Sequence, residues 1–282
     1  MALQLADMGY DIWLGNNRGT EYSQQHKTLS AVDDPEFWSW TWSEMGLYDD
    51  TANITFIKEK AKQEKIFYIG YSQGTVQMFY GLSHIEESFL QDNLIKFIAL
   101  APCSISTGVL DKDGNVDHRA YEGSTFRYHE LEIYNVMGPN WETSLKTGCD
   151  NFGDEWCAYY SNLHVQPYST QDEWHWSYNF LQQRFQEFAP DYQKGIVLTD
   201  LIPIESIDKV PIAMIASTLD PTCPYKTAEH MRDVIPAVVS FDTMEGKDHT
   251  YYGYASDELF MSHVVSALEN VDGPKDKEEF LS

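Results

Sequence analysis

Short apolar runs along the chain alternate with amphipathic stretches, a pattern typical of parallel βαβ units. Residues 2–9 have apolar positions at helical spacing and end at Gly9, which predicts a short helix with a glycine stop. A second helix is predicted from an N-cap at Ser43. Others are predicted after Gly74, over 229–234, and near the C-terminus, where one side carries Phe260, Val264, Ala267, Leu268 and Val271.

Strands are predicted where short apolar runs are bounded by turn residues. The run at 97–101 is apolar throughout, as buried strands of parallel sheets are. The sequence therefore predicts an α/β fold, in which helices flank a mostly parallel sheet. The predicted strands cover residues 10–14, 66–69, 97–101, 210–216 and 238–241.

The alternation stops between residues 106 and 208, where polar turns and scattered aromatic residues replace it. Helix-like pieces occur around Gln182 to Phe188. We expect this stretch to be a cap inserted over the sheet. The predicted division is a core over 1–105, a cap over 106–208 and the rest of the core over 209–282.

The sequence Gly70-Tyr71-Ser72-Gln73-Gly74 joins an apolar run to a helical pattern. A G-x-S-x-G between a strand and a helix is a nucleophile elbow, in which a tight turn lifts the serine hydroxyl clear of the sheet. We expect the turn to be too tight for a side chain at Gly70 or at Gly74. Ser72 is the candidate nucleophile, and the backbone N–H of Gln73 would serve the oxyanion hole. The alternative is an ordinary glycine-rich turn.

A catalytic serine needs a base to take its proton and a carboxylate to orient that base. In open parallel sheets the working residues lie beyond the C-terminal ends of the strands. Asp220 follows the predicted strand at 210–216, and His249 follows the next one. They give the order Ser, Asp, His that is expected of G-x-S-x-G hydrolases. Asp242 and Asp248 are rivals for the role of the acid.

Charge excludes some classes of partner. The 44 acidic residues exceed the 19 basic ones and give a net charge of −25, which argues against nucleic acid and against attraction to anionic membranes. Any lipid contact must then be apolar. No apolar run reaches the roughly 18 residues of a membrane span, and the N-terminus lacks the features of a signal peptide. We predict no stable membrane insertion, and the sequence does not indicate an oligomeric state.

The cysteines stand at positions 103, 149, 157 and 223, with no C-x-x-C pair and no histidine at metal spacing near them. The sequence therefore predicts no metal and no cofactor. Cys149 and Cys157 are close in the sequence, and they are either a small disulfide or two free thiols. The glycosylation sequon at Asn53 lies in a predicted helix, and we interpret it as a chance match.

Several motifs in one order resemble the acid lipase family, the gastric and lysosomal acid lipases of the α/β-hydrolase fold. The similarity is strong over residues 5 to about 105, returns at His175-Trp176, and is moderate from Val210 to His249. The cap between these parts is weakly matched. The motifs are LADMGYDIWLGNNRG at 5–19, HKTLS at 26–30, PEFW at 35–38, Glu44-Met45, Tyr48-Asp49, the elbow with Thr75, and Ala101-Pro102.

The resemblance implies a catalytic triad of Ser72, Asp220 and His249, and it supports a disulfide between Cys149 and Cys157. It also implies neutral lipid esters as substrates and a secreted or lysosomal location.

The chain departs from the family at two points. Tyr71 stands where the family usually has histidine. The family's first strands, and the loop that supplies the other oxyanion donor, have no counterpart in this sequence. We therefore expect an N-terminally incomplete copy of a longer enzyme, with a gap in the sheet between 10–14 and 66–69 and little activity by itself.

The leading hypothesis is a serine carboxylic ester hydrolase, a lipase that degrades triacylglycerols or sterol esters through an acyl-Ser72 intermediate. Two alternatives stay open. One is a catalytically silent hydrolase-fold protein that binds lipid or a partner through the cap, and the other is an esterase for small soluble esters.

Overall fold

A parallel sheet forms the centre of the molecule. The computed structural model describes residues 1–84, 89–105, 167–190 and 198–270. Their strands form a four-stranded sheet in the order β1-β2-β3-β4, and each neighbouring pair is parallel. The C-terminal ends of these strands therefore meet at one edge. The strands are β1 (Ile66–Tyr71), β2 (Leu94–Leu100), β3 (Ile212–Ser217) and β4 (Val238–Met244).

The helices that accompany the sheet cover it, and the predicted α/β class is confirmed. Among the described residues, no helix is long and apolar enough to cross a membrane. The helices are α1 (Ala2–Asp7), α2 (Trp42–Glu44), α3 (Asp50–Ala61), α4 (Gln73–His84), α5 (Phe89–Asn93), α6 (Thr170–Gln182), α7 (Tyr225–Val234), α8 (Tyr251–Tyr254) and α9 (Glu258–Glu269), with a π-helical segment at Met45–Asp49 and 3-10 turns at Pro35–Trp38 and Ile204–Ser206.

The middle strands are buried because helices pack against them. Every residue of β3 is buried, while α4 packs on β1, α7 on β3, and α9 on both β2 and β4. The apolar stripe predicted for the last helix is confirmed for Phe260, Val264, Ala267 and Leu268, which are buried in α9. Val271 lies outside the described residues. The one charged side chain of β2, on Lys96, is also buried, and its Nζ donates to the carbonyl oxygen of Asn270 at the end of α9.

The strand predicted at 10–14 is not a strand in the structure. A strand needs a hydrogen-bonded neighbour, and none of the four described strands pairs with this stretch. Residues 10–14 instead line a groove of about 590 Å³, and β1 lines the same groove. Asn53 of the sequon also lines it, with its Nδ2 donating to the carbonyl oxygen of Asn16 at 3.5 Å.

The N-cap predicted at Ser43 lies two residues earlier in the structure, at Thr41, and the helix begins at Trp42. The Thr41 hydroxyl accepts from the N–H of Ser43 at 3.1 Å, and the Glu44 carboxylate accepts from the N–H of Thr41 at 2.7 Å. This reciprocal arrangement needs a Glu or Gln three residues after the cap, and Thr41 satisfies that spacing where Ser43 does not.

The helix-like pieces predicted around residues 182–188 are not helical beyond Gln182 in the structure. Helix α6 ends at Gln182, and Gln183 is left-handed with a φ of 50°. Beyond it, Gln186 forms an isolated antiparallel bridge with Leu201. The remaining cap residues, 106–166 and 191–197, lie outside the described residues, and the cap boundaries stay a prediction.

Candidate active site

The nucleophile elbow lies between β1 and α4. Ser72 has a φ of 54°, in the left-handed region that residues with side chains rarely adopt, because the chain reverses sharply there. A Cβ at Gly70 would lie 2.5 Å from the carbonyl oxygen of Gly74, so a glycine is required at 70 as expected. A Cβ at Gly74 would meet nothing nearer than the Tyr68 hydroxyl at 3.8 Å. The expectation of a steric requirement is therefore wrong for Gly74.

The structure brings Ser72, His249 and Asp220 together at the C-terminal edge of the sheet. The Oγ of Ser72 lies 2.8 Å from Nε2 of His249, and Nδ1 of that histidine lies 2.8 Å from Oδ2 of Asp220. The Asp220 side chain is fully buried, whereas the His249 side chain is 15% exposed. The other oxygen of the Asp220 carboxylate accepts from the backbone N–H groups of Thr222 and Cys223 at 2.8 and 2.7 Å. These bonds orient the carboxylate toward the imidazole.

The rival carboxylates have other partners. Asp242 pairs with Nδ1 of His263 at 3.0 Å. Asp248 caps the turn after it, accepting from the Thr250 hydroxyl at 2.9 Å and from the N–H of Tyr251 at 3.1 Å. Of these three carboxylates, Asp220 is the one that contacts the His249 imidazole.

The other described histidines contact groups elsewhere in the fold. His84 pairs with Glu187 at 2.6 Å, and Nδ1 of His26 accepts from the N–H of Leu29 at 2.9 Å. His175 is fully buried, and burial lowers its pKa to about 4, so it is neutral near pH 7. The remaining histidines are His230 on α7, together with His118, His129 and His164 outside the described residues.

Gln73 opens α4 directly after the nucleophile. The first N–H groups of a helix have no acceptor within the helix, which makes the Gln73 N–H suitable for binding an oxyanion. The first turn is closed behind it, because the carbonyl oxygen of Ser72 accepts from the N–H and the hydroxyl of Thr75 at 2.8 and 2.6 Å.

Tyr71, the departure from the family pattern, contacts the candidate base. Its hydroxyl donates to the carbonyl oxygen of His249 at 2.7 Å, and the two rings lie 5.2 Å apart. The last residue of β1 is thereby bonded to the loop that carries His249. Sequence reasoning missed this contact, which joins residues far apart in the chain.

A buried polar cluster lies behind the elbow. The Asp50 carboxylate accepts from Nε2 of Gln77 at 2.8 Å, and the Tyr68 hydroxyl lies 3.3 Å from it and 3.1 Å from the carbonyl oxygen of Gly74. Burial raises the pKa of Asp50 well above its usual value, although these bonds act in the opposite direction. Sequence reasoning missed this cluster, because an acidic residue in the first turn of a helix is normally an exposed group.

A disulfide joins Cys103 to Cys223, two cysteines for which the sequence predicted no pairing. One follows β2 and the other follows β3, and these strands are parallel neighbours. The sequence contained information from which this disulfide could have been predicted. Both cysteines come shortly after predicted strands, and the ends of these strands share one edge of the sheet. The predicted pair, Cys149 and Cys157, lies outside the described residues.

Comparison with known families agrees with the fold. Residues 1–112 match the family model of the alpha/beta hydrolase fold. With the parallel sheet and the strand–elbow–helix connection, this shows that the chain has the α/β-hydrolase fold.

The N-terminal third is similar to the acid lipases. Lipase member M of Homo sapiens is 48% identical over 98 residues, which are 35% of this chain and 22% of that protein. Lysosomal acid lipase/cholesteryl ester hydrolase of Macaca fascicularis is 48% identical over 98 residues, which are 35% of this chain and 24% of that protein. The resemblance predicted from the motifs is confirmed. The chain spans about a quarter of the length of these curated relatives.

Solved structures match over most of the chain. An esterase from Exiguobacterium antarcticum has a TM-score of 0.51 at 16% identity, over 90% of this chain and 80% of that one. A hydrolase from Pseudomonas aeruginosa PA01 has a TM-score of 0.51 at 11% identity, over 90% of this chain and 77% of that one. At such identities the likeness shows the fold alone.

Proposed function

We propose that this protein is a serine carboxylic ester hydrolase that acts on neutral lipid esters through an acyl-Ser72 intermediate. The observation that carries the proposal is the hydrogen-bonded path from Ser72 through His249 to Asp220, with 2.8 Å at each step. A buried carboxylate, an imidazole and a serine at a left-handed turn in this order form the arrangement that activates a hydroxyl for acyl transfer.

Each group has a role in the proposed reaction. The Oγ of Ser72 attacks the ester carbonyl while Nε2 of His249 takes its proton, and Asp220 holds the imidazole in the tautomer that keeps Nε2 free to accept. The N–H of Gln73 donates to the oxyanion that develops. His249 then protonates the leaving alcohol. Water attacks the acyl-serine in the second half of the reaction, with His249 again acting first as the base and then as the acid.

The substrate class is proposed from the relatives. One relative is named for lysosomal acid lipase and cholesteryl ester hydrolase activity, which supports neutral lipid esters and a lysosomal or secreted location for this chain. The net charge of −25 supports binding of lipid through apolar contacts instead of through attraction to anionic head groups.

Hydrolysis of p-nitrophenyl esters of short and long acyl chains tests the proposal. We expect the 282-residue chain to hydrolyse them slowly, and Ser72→Ala should lower that rate at least about a thousandfold, because removing a triad member removes nucleophilic catalysis. Equal rates for the two proteins would refute the role of Ser72.

Two further measurements separate the alternatives. A fluorophosphonate labels only an activated serine, so the absence of labelling would favour the catalytically silent lipid-binding protein. A rise in rate as a long-chain ester passes its solubility limit would favour a lipase over an esterase for small soluble substrates.

A further inference from the structure

The side chain of Gln73 is held by residues from outside its own helix. Its Oε1 accepts from the indole Nε1–H of Trp176 at 2.7 Å, and its Nε2 lies 3.5 Å from Sδ of Met45. The buried carboxyl group of Asp172 also interacts with this amide. The residue after the nucleophile is thus anchored to α6 and to the π-helical segment.

Helix α6, which carries Trp176, is itself fixed to the core. The ring of His175 stacks on Trp42 at 3.8 Å with planes 14° apart, and Nε2 of His175 donates to the carbonyl oxygen of Gln186 at 2.8 Å. The N-cap Ser169 donates to the carbonyl oxygen of Trp38 at 2.5 Å. Because these anchors are buried, the indole next to His175 presents its N–H from a rigid support.

We propose that Trp176 is a positioning residue for the oxyanion hole, acting through the Gln73 side chain on the Gln73 backbone N–H. The inference rests on the proposed function, in which that N–H stabilises the oxyanion. Oxyanion donors accelerate a reaction because they are already oriented before charge develops. The amide side chain and the N–H of Gln73 share one Cα, so fixing the first restrains the orientation of the second.

The protonation state of the neighbouring Asp172 is compatible with the positioning role proposed for Trp176. Asp172 is buried beside the Gln73 amide, and burial raises its pKa well above its usual value. The carboxyl group therefore stays protonated over a wider range of pH than an exposed one, and while protonated it places no negative charge beside the developing oxyanion.

The first test is Trp176→Phe, which keeps an aromatic ring and removes the N–H. With a soluble p-nitrophenyl ester, kcat should fall about three- to tenfold, the value of one hydrogen bond, while KM stays within about twofold. The inhibition constant of a boronic acid, which forms a tetrahedral adduct with the serine, should rise by the same factor as kcat falls. A residue needed only for folding would not produce this selective loss.

Trp40→Phe is the matched control. Its indole is buried, and its Nε1 has no hydrogen-bond partner among the described residues, so this variant loses packing alone. Its kcat should equal that of the unmodified chain once the fraction folded is measured by thermal melting. Equal kcat values for Trp176→Phe and Trp40→Phe would overturn the inference.

Gln73→Met completes a double-mutant cycle, because it removes the amide and leaves the backbone N–H. It should lower kcat as Trp176→Phe does, and adding Trp176→Phe should cause no further loss. Additive losses of kcat would overturn the inference about Trp176 but would not contradict the proposed hydrolase function. If Trp176→Phe does not fold, an unchanged kcat in Gln73→Met overturns the inference by itself. An unmodified chain that hydrolyses no ester overturns the proposed function and the inference together.

Discussion

At the residue scale, Tyr71 connects the nucleophile elbow to the loop that carries His249. The strand end that presents Ser72 also supplies, through the Tyr71 hydroxyl, a hydrogen bond to the carbonyl oxygen of His249. The ring of Tyr71 additionally lies 5.8 Å from that of Tyr252, on the helix after the base. Strand β1 therefore restrains the nucleophile directly and the base through its backbone.

Tyr71→Phe should lower kcat for a soluble ester about three- to tenfold, because the His249 loop loses one hydrogen bond and samples unproductive positions. The ring contact is retained, so KM should change little. Steady-state kinetics checks this, with Tyr225→Phe as the control, since the Tyr225 hydroxyl bonds to Thr243 instead of to a triad residue. A control that loses as much activity as Tyr71→Phe would contradict the prediction.

The triad candidates could be chosen from the sequence because strand order and chain order restrict them. Asp220 and His249 both lie shortly after predicted strands, and the loops after parallel strands meet at one edge of the sheet. The Gln73 and Tyr71 side-chain contacts could not be chosen in this way. Trp176 lies 103 positions from Gln73, and His249 lies 178 positions from Tyr71, so no local pattern connects them.

At the scale of elements, the disulfide fastens two neighbouring strands where they meet the site. Cys103 and Cys223 come after β2 and β3, at a sequence separation of 120 residues. The backbone N–H of Cys223 also donates to Asp220, so the same turn carries the cross-link and the orientation of the acid.

Replacing Cys103 and Cys223 together by serine should lower the free energy of unfolding by about 2 to 5 kcal/mol, because a long loop gains entropy in the unfolded chain. Urea titration without reductant measures it. Replacing Cys149 and Cys157 in the same way is the matched control, and the smaller loop that they could close gives a smaller loss. Identical unfolding midpoints for the Cys103 and Cys223 double variant and the unmodified chain would contradict the prediction.

Helices and strands could be predicted where the local sequence pattern determines them. They were harder to predict where their formation depends on pairing with another strand. The apolar run at 97–101 and the stripe of α9 led to β2 and α9, since buried strands and helix faces have characteristic periods. The stretch 10–14 has the same local pattern as a strand but lacks a paired neighbour among the described strands. A local pattern indicates which residues are apolar, but whether a stretch pairs with a neighbouring strand depends on the rest of the fold.

At the scale of the whole molecule, buried ionisable groups make stability depend on pH in two directions. Burial raises the pKa values of Asp50, Asp172 and Glu173. Their contribution is complete below the pKa of the unfolded chain, near about 4, and is lost as the pH rises through the folded values. His175 acts oppositely, because burial lowers its pKa to about 4 and the unfolded chain binds a proton below about pH 6.5. Its contribution is lost as the pH falls through that range.

Asp50→Asn should reduce the loss of stability that accompanies rising pH by up to about 1.4 kcal/mol per pH unit, because the amide binds no proton in the folded state. The amide oxygen can still accept from Gln77, so packing is preserved. Urea unfolding between about pH 5 and 8 measures the slope. The net charge of −25 adds a self-repulsion that also grows with pH, but about 0.5 M NaCl screens it and leaves a buried group largely unaffected. The difference between the two proteins should therefore persist in salt, and equal slopes in both media would refute a proton bound at Asp50.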